Sequence, residues 1–464
     1  MNQLLLLTLL LAAALPTGCR PGGDPGQSAS HSNNQSSAFK LTSALAALDS
    51  CTLVLAPHSG ETKTDQEIFR LQQAIPIAPT STEAAALIER LGWMFVSKAR
   101  SSFDPGFYKL AEQCAACLDS KQSGTAEALL LRGHVLQNLH RFKEAEPFAR
   151  RLIAERGAPF DFGLLGDVLM EQGRLAEAID DYQKMIEMKP DAQGYARVAH
   201  VRWLKGDVDG ALEVMRLATG AASPQVPESA AWMHSRLAFY ELHAGDLAAA
   251  RRSCSVAFEF QTDYPPALLM LGRIRLAEGQ GAEAVEPLLR AARQNPLPEY
   301  QWTLLEALRS ARKLDEEREI EVNLMKTGAA NDPRTFALFL ATQGRETARA
   351  VQLAERELLE RADVHTHDAL AWALAANGRW VEAEPHSAKA LAEGTDDPRL
   401  LLHAGIIAAK LGRAVDAGKH LAQAFRREQA LLPVERENLR MAMQGLAAIS
   451  VSTQTAANSE LKAP

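Results

Sequence analysis

The chain has 464 residues, of which 47% are hydrophobic and 6% aromatic, and its formal net charge at pH 7 is −7. This mild, dispersed acidity without a basic stripe argues against nucleic acid as a partner. Because aromatic residues are few and Ala and Leu are abundant, we expect helices that pack through small side chains rather than around one bulky core.

The first predicted element is an export signal over residues 1–19. Leu4 to Leu15 is an apolar stretch that is too short to span a bilayer. Residues 15–19, Leu-Pro-Thr-Gly-Cys, resemble the lipobox of bacterial lipoproteins, which implies that Cys19 is diacylated and becomes the mature N-terminus. The alternative is an ordinary signal peptide that is cleaved without lipidation.

The remainder of the chain divides by composition into five segments. Residues 20–37 are rich in Gly, Pro, Ser, Asn and Gln, and they are predicted to form a flexible linker. We expect an N-terminal helical segment over 38–81 and a helical repeat array over 82–430. A capping helix over 431–450 and a disordered tail over 451–464 complete the predicted order.

A recurring sequence pattern predicts the architecture of residues 82–430. A Gly is followed about five residues later by an Ala, which begins an Ala- and Leu-rich stretch. Successive copies of this pattern lie about 34 residues apart. The glycines are Gly173, Gly206, Gly245, Gly279, Gly378 and Gly412. A fixed period of this size indicates helical repeats that stack on their neighbours.

One segment, Pro159 to Pro190, carries a specific match. It has Phe162 at its fourth place, Gly166 at its eighth and Ala178 at its twentieth. This pattern resembles the tetratricopeptide repeat family, in which small residues at the eighth and twentieth places let the paired helices approach closely. The resemblance implies an all-α fold, a right-handed α-α superhelical solenoid of about ten helix hairpins.

The same resemblance implies where a ligand binds, because in this family the first helix of each pair lines a concave groove. The groove residues inferred here are His134, Asn138, His200, Trp203, Phe239, Arg273, Trp302, Arg309, Trp372 and Arg399. Aromatic and Arg side chains are the usual anchors of protein interfaces. Packing between helices is the alternative for Trp203, Trp302 and Trp372.

Two further groups of residues have spacings that are found in chemical sites. Cys114 and Cys117 have a redox-like spacing, but they lie inside a predicted helix, so we interpret them as small core residues. A structural disulfide, with Cys51 as the candidate partner, is the alternative. His365 and His367 diverge around a helix, so we expect exposed polar residues at a helix start rather than a metal site.

These patterns predict a non-enzymatic, exported scaffold or adaptor that binds a protein or peptide segment in its concave groove. No catalytic residue, metal or cofactor is predicted, and a lipid anchor on Cys19 supplies the membrane contact. The expected location is the cell envelope. The protein would be an outer-membrane or cell-surface lipoprotein, or a periplasmic protein if Cys19 is not lipidated. The alternative is a glycan-binding lipoprotein that partners an outer-membrane transporter, because Trp platforms suit stacking on sugars.

Overall fold

The structure, a computed structural model, describes residues 49–121 and 125–460. Over these residues it contains twenty-three α-helices, two short 3₁₀ helices and no strand, which confirms the predicted all-α repeat fold. The chain forms two compact units, with the boundary between Arg156 and Gly157. The array predicted as one body over 82–430 is therefore divided between two units. Cys19, the export signal and the predicted linker lie outside the described residues.

Unit 1 (residues 49–156) contains a short N-terminal segment and two helix hairpins. Its helices are α1 Ser50–Leu53, α2 Lys63–Ala74, α3 Ser81–Ser102, α4 Gly106–Lys121, α5 Ala126–Asn138 and α6 Phe142–Glu155. The hairpins are α3 with α4 and α5 with α6, while α1 packs on α4 and α2 packs on α3. Their shared core includes Ile68, Leu91 and Phe95, which are fully or almost fully buried.

A disulfide connects helices α1 and α4 within this core. Cys51 in α1 is bonded to Cys117 in α4, across 66 residues of sequence. Cys114, one turn earlier in α4, is a free and fully buried thiol, and burial raises its pKa well above the usual value. Cys114 is therefore a small core residue, as interpreted from the sequence, whereas Cys117 forms the disulfide that was the alternative.

Asp65 ties α2 to α3. Its carboxylate accepts a hydrogen bond from the backbone N–H of Thr62 at 3.1 Å and lies 2.7 Å from the Lys98 ammonium on α3. The His58 Nε2 atom lies 2.7 Å from Oδ1 of Asp65, the same oxygen that Lys98 contacts. Burial alone would raise the pKa of Asp65, but the hydrogen bonds from Lys98, Thr62 and His58 outweigh it and hold that pKa well below its usual value.

Unit 2 (residues 157–460) contains eight hairpins, each made of an odd-numbered helix and the helix that follows it. The helices are α7 Pro159–Glu171, α8 Leu175–Met188, α9 Ala192–Leu204, α10 Val208–Gly220, α11 Pro227–Ala244, α12 Leu247–Phe260, α13 Pro265–Ala277, α14 Gly281–Gln294, α15 Pro298–Ser310, α16 Leu314–Asn331, α17 Pro333–Thr342, α18 Thr347–Glu360, α19 Val364–Ala376, α20 Trp380–Ala390, α21 Pro398–Lys410 and α22 Ala414–Phe425.

A C-terminal helix, α23 Pro433–Glu460, follows the last hairpin and packs against α21 and α22. It continues past the predicted end of the capping helix at residue 450. Residues 451–460 are therefore helical, and the prediction of a disordered tail is wrong for them. Residues 461–464 lie outside the described part of the chain.

Glycine determines the hairpin geometry at two kinds of position. At the turns, Gly173 and Gly412 have φ values of 77° and 76°, a left-handed conformation that is costly for a residue with a Cβ. Inside the hairpins, a Cβ on Gly166 would lie 2.5 Å from the ring of Tyr182. The small residue at the eighth place is therefore required by the close approach of the paired helices.

Contacts between residues far apart in sequence close unit 2 on itself. The backbone N–H of Ala362 donates to the carbonyl of Glu171 at 3.0 Å, and the Arg361 guanidinium lies 2.6 Å from the Glu171 carboxylate. On the neighbouring hairpin, the Lys205 ammonium lies 2.9 Å from the carboxylate of Glu393. Each contact joins an early hairpin to a late one, so the stack curves until it returns to its start.

A crossing segment, residues 426–436, covers part of the inner face of unit 2. The Arg427 side chain donates to the carbonyl of His243 at 2.9 Å, and the Arg273 side chain donates to the carbonyl of Ala430 at 2.7 Å. Farther along, the backbone N–H of Val434 donates to Glu306 at 3.1 Å. The chain thus places its own backbone across the first helices of three other hairpins.

Candidate functional site

Unit 2 contains a partly enclosed cavity of about 590 Å³. The first helix of every hairpin contributes at least one lining residue; in hairpin order, one such set is Glu171, His200, Arg236, Arg273, Trp302, Arg334, His365 and Arg399. Ala430 and Leu432 of the crossing segment line it as well. The concave face that the resemblance implied thus surrounds a partly enclosed cavity.

Six of the ten inferred groove residues line this cavity: His200, Trp203, Phe239, Arg273, Trp302 and Arg399. Arg309 lies elsewhere in unit 2, where its Nε atom is 2.7 Å from the Glu317 carboxylate. His134 and Asn138 belong to α5 of unit 1, and the Asn138 amide donates to the backbone carbonyl of His134 at 2.8 Å. The structure therefore brings together only part of the inferred set.

The three tryptophans of the inferred groove are buried. Trp203, Trp302 and Trp372 are 3%, 1% and 8% exposed. Trp372 is not among the cavity residues; it stacks on His403 with ring centroids 4.2 Å apart and donates a hydrogen bond to Thr342. The packing alternative therefore describes all three, although Trp203 and Trp302 also border the cavity.

The two histidines at the start of α19 are not exposed polar residues, so that expectation is wrong. His365 lines the cavity and stacks on Trp203, with ring centroids 5.6 Å apart. His367 is 9% exposed, and its Nδ1 atom lies 3.1 Å from Nδ1 of His386. Among the described residues no group of three or more His, Cys, Asp or Glu side chains is arranged to hold a metal ion.

Most cationic side chains around the cavity are neutralised by a carboxylate. Arg334 lies 3.0 Å from Asp363, and Arg399 lies 2.5 Å from Glu435. Burial would raise the pKa of Asp363, but the neighbouring Arg334 and Arg361 hold it well below its usual value. In each of these partly buried pairs the positive charge is matched by a carboxylate, so the pairs offer no free charge to a ligand.

Arg236 on α11 is different. Its Nη2 atom lies 3.4 Å from His200 Nδ1 and 3.3 Å from the Tyr240 hydroxyl, and its guanidinium sits 4.4 Å from the centre of the Phe239 ring. No carboxylate among the described residues lies within ion-pair distance of it. The positive charge of Arg236 is therefore held by aromatic rings and neutral polar groups.

The histidines beside Arg236 are neutral at pH 7. Burial, reinforced by the charge of Arg236, lowers the pKa of His200 to about 3. Burial, followed by the charges of Arg273 and Arg236, also lowers the pKa of His243 well below its usual value. Because a guanidinium only donates, His200 Nδ1 accepts from Arg236. His243 is 3% exposed, and its Nδ1 atom has no hydrogen-bond partner among the described residues.

Arg236 was absent from the inferred groove. One signal in the sequence could have revealed it, because Arg236 precedes Phe239 by three residues, Tyr240 by four and His243 by seven. Residues at these spacings share one face of a helix. The repeat register alone assigns only a few places per unit to the concave face, and position 236 is not one of them.

Comparison with known proteins agrees with the fold. The sequence model of the tetratricopeptide repeat family matches residues 130–193 and again residues 164–227. The chain is a tetratricopeptide repeat protein. Tetratricopeptide repeats are scaffolds for protein interaction, and the family assignment places this chain among them. No curated protein sequence matches the chain significantly.

Similar solved structures include another tetratricopeptide repeat protein and IFIT1. One is a tetratricopeptide repeat protein from Parabacteroides merdae ATCC 43184, with 16% identity, 50% of this chain and 88% of that chain covered, and a TM-score of 0.37. Two others are monomeric mutants of IFIT1, one with m7Gppp-AAAA and a TM-score of 0.40, the other with Gppp-AAAA and a TM-score of 0.41. Each IFIT1 structure is 14% identical and covers 78% of this chain and 76% of the other. In the described part of this repeat protein no helix is both long and apolar enough to cross a membrane.

Proposed function

We propose that this tetratricopeptide repeat protein is an exported, non-enzymatic scaffold that binds a protein or peptide segment in the cavity of unit 2. The observation that carries the proposal is the convergence of all eight first helices on one cavity with aromatic, apolar and charged walls. A volume of about 590 Å³ lies in the range of small-ligand sites. A short segment of the partner therefore enters, not a folded domain.

Selection of peptides from a displayed library against the full chain tests this proposal. Ala392, an exposed residue that lines the cavity, is replaced by Trp to obstruct it, and Ala388, an exposed residue that does not line it, is the matched control. We expect the selected peptides to lose affinity for Ala392→Trp and to keep it for Ala388→Trp. Equal affinity for the two variants would contradict binding in the cavity.

Export to the cell envelope and attachment through Cys19 are part of the same proposal. The disulfide between Cys51 and Cys117 supports export, because such bonds persist in oxidising compartments outside the cytosol. Mass spectrometry of the N-terminal peptide from native membranes tests the anchor. We expect a diacylated Cys19 and the release of a Cys19→Ser variant from the membrane fraction. An unmodified, uncleaved N-terminus would contradict both points.

The three tryptophans of the inferred groove do not support glycan binding. Stacking on sugar rings needs exposed tryptophan faces, and Trp203, Trp302 and Trp372 are each less than a tenth exposed. The peptide proposal instead uses the charged and neutral polar groups that face the cavity.

A further inference from the structure

Arg236 is the one cavity arginine with neither a carboxylate partner nor a contact to the crossing segment among the described residues. Arg334 and Arg361 are paired with Asp363 and Glu171, and Arg399 is paired with Glu435. Arg273 donates to the carbonyl of Ala430, and a Glu299 oxygen lies 3.6 Å from it. A positive charge in a partly enclosed, aromatic-walled cavity is thus left without an anion.

The surroundings of Arg236 orient it towards a ligand. His200 and Tyr240 hold its Nη2 atom, and Phe239 supports the plane of the guanidinium. The Nε and Nη1 atoms make no hydrogen bond to any described residue, so their N–H groups remain available. A pre-positioned guanidinium loses less side-chain entropy when it binds an anion than a mobile one does.

A second group beside Arg236 also lacks a partner. The ring of His243 lies 4.3 Å from the ring of Phe239, on which Arg236 rests, and its Nδ1 atom is buried without a hydrogen bond. Leaving such an atom unpaired costs free energy. In the neutral tautomer that carries its proton on Nδ1, His243 donates to an acceptor of the ligand, and this hydrogen bond removes the cost. Arg236 and His243 lie on the same helix, and both line the cavity.

We propose that Arg236, assisted by His243, binds a carboxylate group of the ligand that enters the cavity of unit 2. This inference rests on the proposed function for the location of the ligand, and it assigns the ligand's chemical class. One uncompensated positive charge matches a carboxylate with a single negative charge. Lys389, which also lines the cavity without a carboxylate at ion-pair distance among the described residues, is exposed to solvent, so Arg236 is the unpaired cation held inside the cavity. A phosphate group carries about −1.5 to −2 charges near neutral pH and would face the carboxylates of Glu171, Glu299 and Asp363.

Two pairs of probes that differ only in one carboxylate test the inference. One pair is phenylacetate and phenylacetamide; the other is the acetylated, amidated tripeptide Ala-Glu-Phe and its counterpart Ala-Gln-Phe. Binding to the full chain is measured by calorimetry and by ligand-observed NMR. We expect the acid of each pair to bind at least about tenfold more tightly than its amide, because a hydrogen bond to a charged group is lost. Equal affinities within both pairs, or no binding by any probe, would overturn the inference.

Substitutions assign the effect to Arg236. Arg236→Gln should remove the preference for the acids, and Arg236→Lys should retain part of it because the charge remains. Arg318→Gln, at a side chain that is 77% exposed on α16, is the matched control and should leave the preference unchanged. If Arg236→Gln does not fold, the acid and amide affinities of the Arg236→Lys variant decide the question. A variant without the charge that still prefers the acids would overturn the assignment.

The two probe pairs separate this inference from the proposed function. If phenylacetate is preferred over its amide and neither tripeptide binds, the carboxylate site stands, its ligand is a free organic acid, and peptide binding in the cavity fails. If both tripeptides bind equally well and phenylacetate shows no preference, peptide binding stands and the carboxylate site fails. If both acids are preferred, both proposals are supported.

Discussion

Unit 1 and unit 2 are built from the same hairpin but are secured in different ways. Unit 1 has two hairpins and a disulfide between Cys51 and Cys117 that ties its N-terminal segment to the core. Unit 2 has eight hairpins and, within its described residues, no disulfide; polar contacts such as Lys205 with Glu393 join positions 188 residues apart. A short stack cannot return to its own start, so it uses a covalent bond, whereas a long stack can close through side chains.

The largest expected effect is the loss of stability of unit 1, but not of unit 2, when the disulfide is removed. Replacing Cys51 with Ser should lower the free energy of unfolding of unit 1 by about 4 kcal/mol, because the bond closes a loop of 66 residues. Calorimetry of the full chain should show a lower melting temperature for unit 1 and an unchanged transition for unit 2. Dithiothreitol should reproduce this shift in the wild type and have no effect on the variant. Identical melting curves for variant and wild type would show that the bond does not stabilise unit 1.

The next largest effect is expected from substitutions that disturb the close helix packing of unit 2. Ala383 in α20 is fully buried, so Ala383→Leu should lower the free energy of unfolding by about 1 to 3 kcal/mol through overpacking. Ala178→Leu in α8 should act in the same way. Ala388→Leu, on the exposed side of α20, is the matched control. Chemical denaturation that shows equal midpoints for Ala383→Leu and Ala388→Leu would contradict close packing at that place.

Acid should act on the two units in different pH ranges. The pKa of His200 falls from the usual 6.5 to about 3 on folding, so its contribution to unit 2 is present above pH 6.5 and is lost as the pH falls from 6.5 towards 3. The pKa of Asp65 is lowered from the usual 3.8, so its contribution to unit 1 is present above that value and is lost only at lower pH.

Urea unfolding of matched pairs measures these two contributions. The difference in unfolding free energy between wild type and His200→Gln should shrink between pH 7 and pH 5. The corresponding difference for Asp65→Asn should stay constant over that range and shrink below about pH 4. A difference for His200→Gln that does not change with pH would mean that His200 is not held neutral by its surroundings.

The hairpins could be predicted from the sequence because their causes are local. Gly166 and Ala178 report the close approach of paired helices, and the turn glycines report a left-handed backbone. The number of hairpins follows from the period, and the lining of the inner face by first helices follows from the resemblance to the tetratricopeptide repeat family. The six cavity residues that were inferred, Trp203 among them, all come from this register.

The remaining features depend on distance in space rather than on position in a repeat. The contact of Arg361 with Glu171 depends on small rotations that accumulate over several hairpins, and no single repeat records that sum. The division after Arg156, the crossing segment and the partner of Cys117 are non-local in the same sense. The Arg236 site was missed because it is defined by the absence of a partner, which only the packed arrangement shows.

The smallest effect is expected from substitutions at single turn residues, which can be compared between unit 1 and unit 2. His140 in unit 1 and Arg312 in unit 2 both have a φ of 58°, where Gly173 and its equivalents have glycine. Replacing His140 or Arg312 with Gly should raise the free energy of unfolding by up to about 1 kcal/mol, because glycine adopts this conformation without strain. Gly378→Ala, at a φ of 78°, should lower it by a similar amount. Opposite signs in thermal denaturation would contradict this account of the turns.

Cross-linking of residues 205 and 393 tests most directly whether unit 2 closes around its cavity. Lys205→Cys and Glu393→Cys, placed together in the full chain, are treated with a short bismaleimide, and the products are identified by peptide mass spectrometry, with each single variant as control. Closure predicts an intramolecular cross-link between the two positions in most molecules. Single modification of each thiol, without a cross-link, would show that the early and late hairpins do not meet.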